Sequence, residues 1–217
     1  SLRVAAVTGV DDATGRIRDG DFLILDGDTG KVIVRPDEAL LEQYRERQRE
    51  AAERERLLAR LADVACVTQD GCRVTMLANI ERPEEAEDAV RAGAEGIGLF
   101  RSEFLFLNRC QLPDEEEQYR AYRQVLETLQ GRPVTIRTID VGADKILPAQ
   151  ALIPGATSAL GRRAIRYSLA EPEMFLVQLR ALLRASVHGN LQILLPMLTQ
   201  PHEVDEAMLL LAQARQD

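Results

Sequence analysis

The sequence predicts an α/β fold built on a parallel sheet, and three observations carry that prediction. From residue 65 onward, short apolar runs alternate with longer segments of helical period, giving four β-α units. Alternation of this kind leads to parallel strands joined by right-handed crossovers. The first three apolar runs carry polar side chains at their ends: Asn79 on the first, Arg101 on the second, and Arg137, Asp140, Asp144 and Lys145 within or beyond the third. A run without Gly or Pro, residues 37–62, separates this region from a short β-rich start. Four β-α units make half of a (β/α)8 barrel, and an open four-stranded α/β sheet is the competing reading.

Residues 1–36 are expected to hold three strands. Val4 to Val10 is an apolar run, and the apolar segments 22–25 and 31–34 flank Asp26-Gly27-Asp28-Thr29-Gly30, a hairpin turn signal. Three strands are too few to fold alone, so this region reads as the end of a domain. Residues 37–64 read as a linker helix, rich in Glu, Arg, Ala and Leu and entered through Pro36-Asp37. Its apolar stripe (Leu41, Tyr44, Ala51, Leu58, Leu61) is broken by Gln48 and Glu55, which suits a solvated helix better than a coiled coil. Residues 65–217 then give strands at 74–78, 97–100, 134–141 and 191–198. Helices are expected at 83–92, 113–129, 160–169, 172–187 and 201–216, with a loop over 142–157. Gly93 and Gly189 are placed as helix stops, and the acids at 114–117 suit the positive end of their helix.

Net charge is −8 over 217 residues. That balance argues against a nucleic-acid surface, which needs basic patches to neutralise phosphates. No apolar run approaches the roughly 18 residues of a membrane span. The start Ser1-Leu2-Arg3-Val4 has no apolar leader core, so a cytoplasmic location is expected. Cys66, Cys72 and Cys110 are odd in number and lack CxxC spacing, so they read as packed small hydrophobes rather than zinc ligands or a disulfide framework. His188 falls in a helix's last turn and His202 at a helix start, both ordinary places for a structural histidine. Asp26-Gly27-Asp28 lacks the spacing and closing glutamate of a calcium loop.

The candidate chemistry lies at the strand ends. In GIGLFRSEFLF, residues 96–106, an apolar strand closes on Arg101, and Glu103 follows. In VTIRTIDVGADK, residues 134–145, alternation sends Val134 and Ile136 toward the helices and Thr135, Arg137 and Ile139 toward the other face. An arginine inside a strand is costly there unless an anion or carboxylate meets it. Two arginines and Lys145 on one face would form an anion site, since the guanidinium fork suits phosphate and carboxylate alike. A pair of surface ion pairs is the plainer alternative.

GAEGIGLFRSEFLF, then LPDEEEQY, TIRTIDVGADKILP and LGRRAIRYSLAEPEMFLVQLRALLRAS, with ILLPM after them, closely resemble enzyme I of the bacterial sugar phosphotransferase system, the phosphoenolpyruvate–protein phosphotransferases. Pyruvate phosphate dikinases and phosphoenolpyruvate synthases share the strand-end arginine and the RTxD stretch, and SEFLF favours enzyme I. The resemblance implies a (β/α)8 barrel that binds phosphoenolpyruvate with Mg²⁺. It implies a histidine on a swivelling domain that takes the phosphoryl group and passes it to the carrier HPr. Arg101, Arg137, Lys145 and Arg163 match the family's substrate-binding positions. Glu103 and Asp140 are expected to orient the arginines. The family's Asn-Pro is Thr157-Ser158 here, and its GGDK is Gly142-Ala143-Asp144-Lys145.

The chain is thus expected to be a central fragment: residues 1–36 the end of the phosphohistidine domain, 37–64 the linker helix, 65–217 the first half of the barrel. The acceptor histidine, the Mg²⁺ ligands and the catalytic cysteine match no position in it, so the fragment is expected to be inactive alone. A half-barrel also leaves sheet edges and an apolar face open, so a homodimer or other self-association is expected. A non-catalytic, self-associating module is the remaining alternative.

Overall fold

The structure, a computed structural model, describes residues 4–107, 109, 111–141, 161 and 163–216. It divides into two units, residues 1–60 and 61–217.

In the first unit a single helical turn, α1 (Ala13–Arg16), precedes an antiparallel hairpin of β1 (Leu23–Asp26) and β2 (Lys31–Val34), with Leu23 opposite Val34 and Asp26 opposite Lys31. Asp26 builds the turn: its Oδ1 accepts the N–H groups of Asp28 and Thr29 at 3.1 and 3.0 Å. Its Oδ2 takes the Tyr44 hydroxyl and an Arg47 Nη1, each at 3.0 Å. These bonds, those from Thr29 foremost, hold the Asp26 carboxyl well below the usual carboxylate range. Helix α2 (Glu38–Ala59) starts where Asp37 Oδ1 accepts Leu40 N at 2.8 Å, and it buries none of its residues. Val4–Val10 corrects the expectation of a third strand. It pairs with neither hairpin strand and is largely exposed, and an apolar run without a ladder partner is not a strand.

The second unit opens with a small loop, where Val67 bridges Arg73 and Val74 N donates to Cys66 O. That fold-back uses residues expected in a strand, so β3 runs Leu77–Ile80, three residues later than the sequence suggests. Cys66 and Cys72 lie on this loop and are exposed, not packed. There follow α3 (Glu85–Arg91), β4 (Gly96–Arg101), a 3-10 turn Ser102–Leu105, α4 (Glu115–Leu129), β5 (Val134–Arg137), α5 (Ile165–Ala170), α6 (Pro172–Ala185), a 3-10 turn Ser186–His188, β6 (Leu191–Leu194) and α7 (Pro201–Ala214).

The four strands form a parallel sheet in the order β3-β4-β5-β6. One face is covered. Ile80, Ile97, Phe100, Val134 and Ile136 pack with Ala86 and Ala89 of α3, Tyr122, Val125, Leu126 and Leu129 of α4, and Ala181, Leu182 and Ala185 of α6. Leu77, Asn79, Gln192 and Leu194, the alternate residues on the edge strands, are exposed. Sequential strand order with these helices on one side differs from a doubly wound sheet, where helices cover both faces. Helix α7 packs outside, on α5 and α6, through Ala207 and Ala214 against Ile165, Phe175 and Leu179.

Two strands stop early, for visible reasons. The last ladder bond of β5 runs from Thr138 N to Leu194 O at 3.0 Å; Ile139 N turns away to a side-chain acceptor. Ile139 therefore leaves the alternation and is buried with Phe106, Val141 and Tyr167, not on the open face. β6 ends two residues before Pro196, which has no N–H to give a ladder. Gly93 does close α3 in the left-handed region at φ +87°. Gly189 does not cap α6: its backbone is extended, and it is small because a Cβ would stand 3.2 Å from Leu126.

Candidate functional site

Arg101 closes β4 and Arg137 closes β5, and the two are register partners in the parallel ladder. Register partners in a parallel pair project to the same side. Both arginines therefore stand at the carboxyl edge of the sheet, on the face the helices leave open.

Each guanidinium meets a carboxylate. Arg101 pairs with Glu81, the residue after β3, and lies over the Phe104 ring with Cζ 5.4 Å from its centroid. Arg137 pairs with Glu103 and, through Nη1, with Asp140 Oδ2 at 3.1 Å. Asp140 Oδ1 then accepts Arg163 Nη2 at 3.1 Å. So Glu103 and Asp140 hold Arg137 from two sides, and Asp140 links it to Arg163. Three cations and three carboxylates alternate along the edge. The Nε atoms of Arg101, Arg137 and Arg163 are buried and find no hydrogen-bond partner among the described residues. An unmet buried N–H is costly, and a ligand oxygen would relieve it. Ala164, beside Arg163, adds backbone strain at φ 52° and ψ −131°, a region suited to glycine. Lys145, with Asp144, Thr157 and Ser158, lies outside the described residues.

Sequence reasoning missed three features. Glu81 sits among other acids in ERPEE, and nothing in one dimension shows that it faces an arginine 20 positions away. Arg166 donates through Nε to Gly161 O at 3.1 Å and lies 4.0 Å from Glu203. The third is a buried polar chain behind Arg137, formed by Ser102, Gln178, Tyr122 and Gln118, all 1% exposed or less. Its signal was available: Gln118 and Gln178 fall on the apolar stripes of α4 and α6, where a polar residue must find a partner.

The remaining candidates stand apart. His188 Nε2 is 3.0 Å from the Tyr119 hydroxyl and its Nδ1 is 3.5 Å from Glu127, an arrangement among helix residues. His202 is exposed at the start of α7. Two cavities, of about 600 Å³ among residues 4–51 and about 540 Å³ among residues 61–94, are not lined by Arg101, Arg137 or Arg163. A divalent metal does not fit the described residues. Glu81, Glu103 and Asp140 are all engaged by guanidinium groups, and no cluster of three or more metal-ligating side chains occurs among the described residues. What the arrangement can do is grip an anion with planar, permanently charged forks.

The family described as PEP-utilising enzyme, PEP-binding domain, where PEP is phosphoenolpyruvate, matches residues 55–217. The chain belongs to this family. Among similar curated proteins, the phosphoenolpyruvate-protein phosphotransferase of Cupriavidus necator is 51% identical over 99% of this chain and 37% of its own length. That of Geobacillus stearothermophilus is 44% identical over 100% of the chain and 37% of its length, and that of Bacillus subtilis 41% over 100% and 38%. The resemblance to these phosphotransferases thus runs along the whole chain, which spans under two-fifths of each relative. No helix among the described residues is long and apolar enough to cross a membrane.

Proposed function

We propose that this chain is the central stretch of a phosphoenolpyruvate–protein phosphotransferase and carries part of its phosphoenolpyruvate site. In this reading residues 1–36 close the phosphohistidine domain, 37–64 are the linker helix and 65–217 are the first half of a (β/α)8 barrel. The sequential parallel sheet with α3, α4 and α6 on one face supports the half-barrel. The names of the relatives support the phosphotransferase over the pyruvate phosphate dikinase and phosphoenolpyruvate synthase readings.

Arg101, Arg137, Lys145 and Arg163 hold the substrate. The observation that carries this is the register pairing of Arg101 with Arg137 at adjacent strand ends. Phosphoenolpyruvate brings a phosphate and a carboxylate, and both match the guanidinium fork. In phosphoryl transfer, negative charge spreads over the equatorial oxygens, and fixed cations stabilise it without reorganising. The carboxylates Glu103 and Asp140 keep Arg137 and Arg163 in place before the ligand arrives. In the longer protein, a histidine outside this stretch receives the phosphoryl group and HPr accepts it. Mg²⁺ is held there by ligands beyond these residues. The location is cytoplasmic, and the assembly is a dimer or other self-associated form. On its own this chain binds but does not transfer.

Isothermal calorimetry with phosphoenolpyruvate tests the site. A grip of a few partly solvated cations corresponds to about 4 kcal/mol, or millimolar affinity. Arg101→Ala and Arg137→Ala are each expected to weaken it about tenfold, the worth of one charge-assisted hydrogen bond. Unchanged affinity in both variants contradicts the assignment.

A further inference from the structure

The chain of buried polar groups behind β4 and β5 has only one consistent hydrogen-bond polarity. Ile139 N is a backbone donor and reaches Gln178 Oε1 at 3.1 Å. This fixes the orientation of the Gln178 amide, since its other end must then be the donor. That end, Nε2, donates to Ser102 Oγ at 3.1 Å and to the Tyr122 hydroxyl at 3.0 Å. At the far side of Ser102 stands a backbone acceptor, and Ser102 Oγ gives its single proton to Arg137 O at 2.5 Å. The Tyr122 hydroxyl, having accepted from Gln178, donates to Gln118 Oε1 at 3.2 Å, and Gln118 Nε2 donates to Pro113 O at 3.1 Å. Both Gln178 donors, its acceptor, the serine proton and the phenol proton are all used. The chain is 1% exposed or less throughout, so water cannot substitute for a missing member.

Its geography matters as much as its polarity. Gln178 lies on α6 and Tyr122 on α4, while Ser102 follows β4 and Arg137 closes β5. The Gln178 amide therefore ties two helices to two strand ends at the level of the arginines. It is bonded to the segment on each side of Thr138: directly to Ile139, and through Ser102 to Arg137. Those residues lead into Asp140, which grips Arg137 and Arg163. Small movements here would rotate the guanidinium that the neighbouring strand carries in register with Arg101.

We infer that Gln178, acting through Ser102, is a positioning residue that sets where the Arg137 guanidinium stands for an incoming phosphate or carboxylate. The inference rests on the reading of Arg137 as a substrate-gripping group. It adds that the geometry of this grip is set from the helical layer, by residues that touch no ligand. Groups held by a locked supporting layer keep their aim within about half an ångström, and loosening that layer costs binding without removing a contact.

The test uses two variants and one control. Gln178→Met keeps the length and removes all three bonds. Ser102→Ala removes the serine's bonds to Arg137 O and from Gln178 Nε2, keeps those of Gln178 to Ile139 and Tyr122, and leaves almost no cavity, so it is the milder variant where Gln178→Met fails to fold. Leu179→Val trims the outer cluster beneath α7 and serves as a destabilised control away from the strand ends. The first readout is the nitrogen–proton NMR signal of Arg137 Nε in the ligand-free chain. The second is phosphoenolpyruvate affinity by calorimetry. Both variants are expected to shift the Arg137 signal and weaken binding roughly three- to tenfold, while Leu179→Val does neither. Adding Ser102→Ala to Arg137→Ala should cost no further affinity, because the effect passes through Arg137. An unmoved Arg137 signal, an equal shift in the control, or, where Arg137→Ala itself weakens binding, a shifted signal with unchanged affinity overturns the inference. Should Arg137→Ala itself bind phosphoenolpyruvate normally, the site reading fails, and the ligand-free signal still decides whether Gln178 positions the arginine.

Discussion

Tyr122 shows how much one side chain settles. It is fully buried, meets the Phe100 ring edge-on at 6.1 Å between centroids, and uses its hydroxyl as both donor and acceptor. Burial pushes its phenol well above the ordinary tyrosine range, so the proton stays on the oxygen and the polarity of the chain is preserved. Tyr122→Phe keeps the ring and leaves the amides of Gln118 and Gln178 each short of one partner. We expect a loss of about 1–3 kcal/mol in urea unfolding, the cost of unpaired buried polar atoms. A change within error would mean that the chain relaxes around the missing hydroxyl. At this scale the sequence was half legible. Arg101 and Arg137 declared themselves because strand period and strand end coincide at each. Gln118, Gln178 and Glu81 did not, because their meaning depends on partners brought near only by the fold.

Among the elements, the helix starts after Asp37 and at the acids 114–117 were readable, whereas the helix expected from residue 160 begins only at Ile165. Asp37 and Asp114 accept Leu40 N and Glu117 N at 2.8 and 2.7 Å, as short polar residues before helical runs should. Strand ends were the least readable, because Ile139 and Val74 leave their ladders for acceptors elsewhere in the fold. The start of α7 carries a pH-dependent brace. Glu203 is 4% exposed, and its Oε2 accepts Thr199 N and Gln200 N at 2.6 and 2.9 Å. The Thr199 bond, more than any other cause, lowers its pKa below the ordinary 4.5. A depressed carboxyl contributes its full stabilisation above the unfolded value and loses it as pH falls through the folded one. Glu203→Gln should therefore be less stable than the parent at pH 7, with the gap closing as pH drops below about 4.5. Denaturant melts across pH 3–7 check this, and a gap that stays constant would show that the charge is not what braces the helix.

For the molecule as a whole, the sheet is the organising fact. Its order follows the sequence, its helix-covered face is closed, and its other face exposes Leu77 at 44% and Leu194 at 36% on the two edge strands. Open edges and uncovered apolar side chains favour pairing with another copy. Light scattering should show mass rising with concentration, and a monomer at every concentration would contradict it. The fold class was legible from alternation alone. The likeness to phosphotransferases was legible because several separated motifs occur in order. Of the carboxylates that hold the arginines, Glu103 and Asp140 were legible as expected partners, while Glu81 beside Arg101 had to be seen in three dimensions. If Arg101, Arg137 and Arg163 form one anion grip, a phosphoenolpyruvate titration followed on the arginine side-chain NMR signals reads it most directly. The signals of these three should move together along one millimolar binding curve, while those of Arg16, Arg91 and Arg215 stay still. Signals that move independently, or all arginines shifting alike, would contradict it.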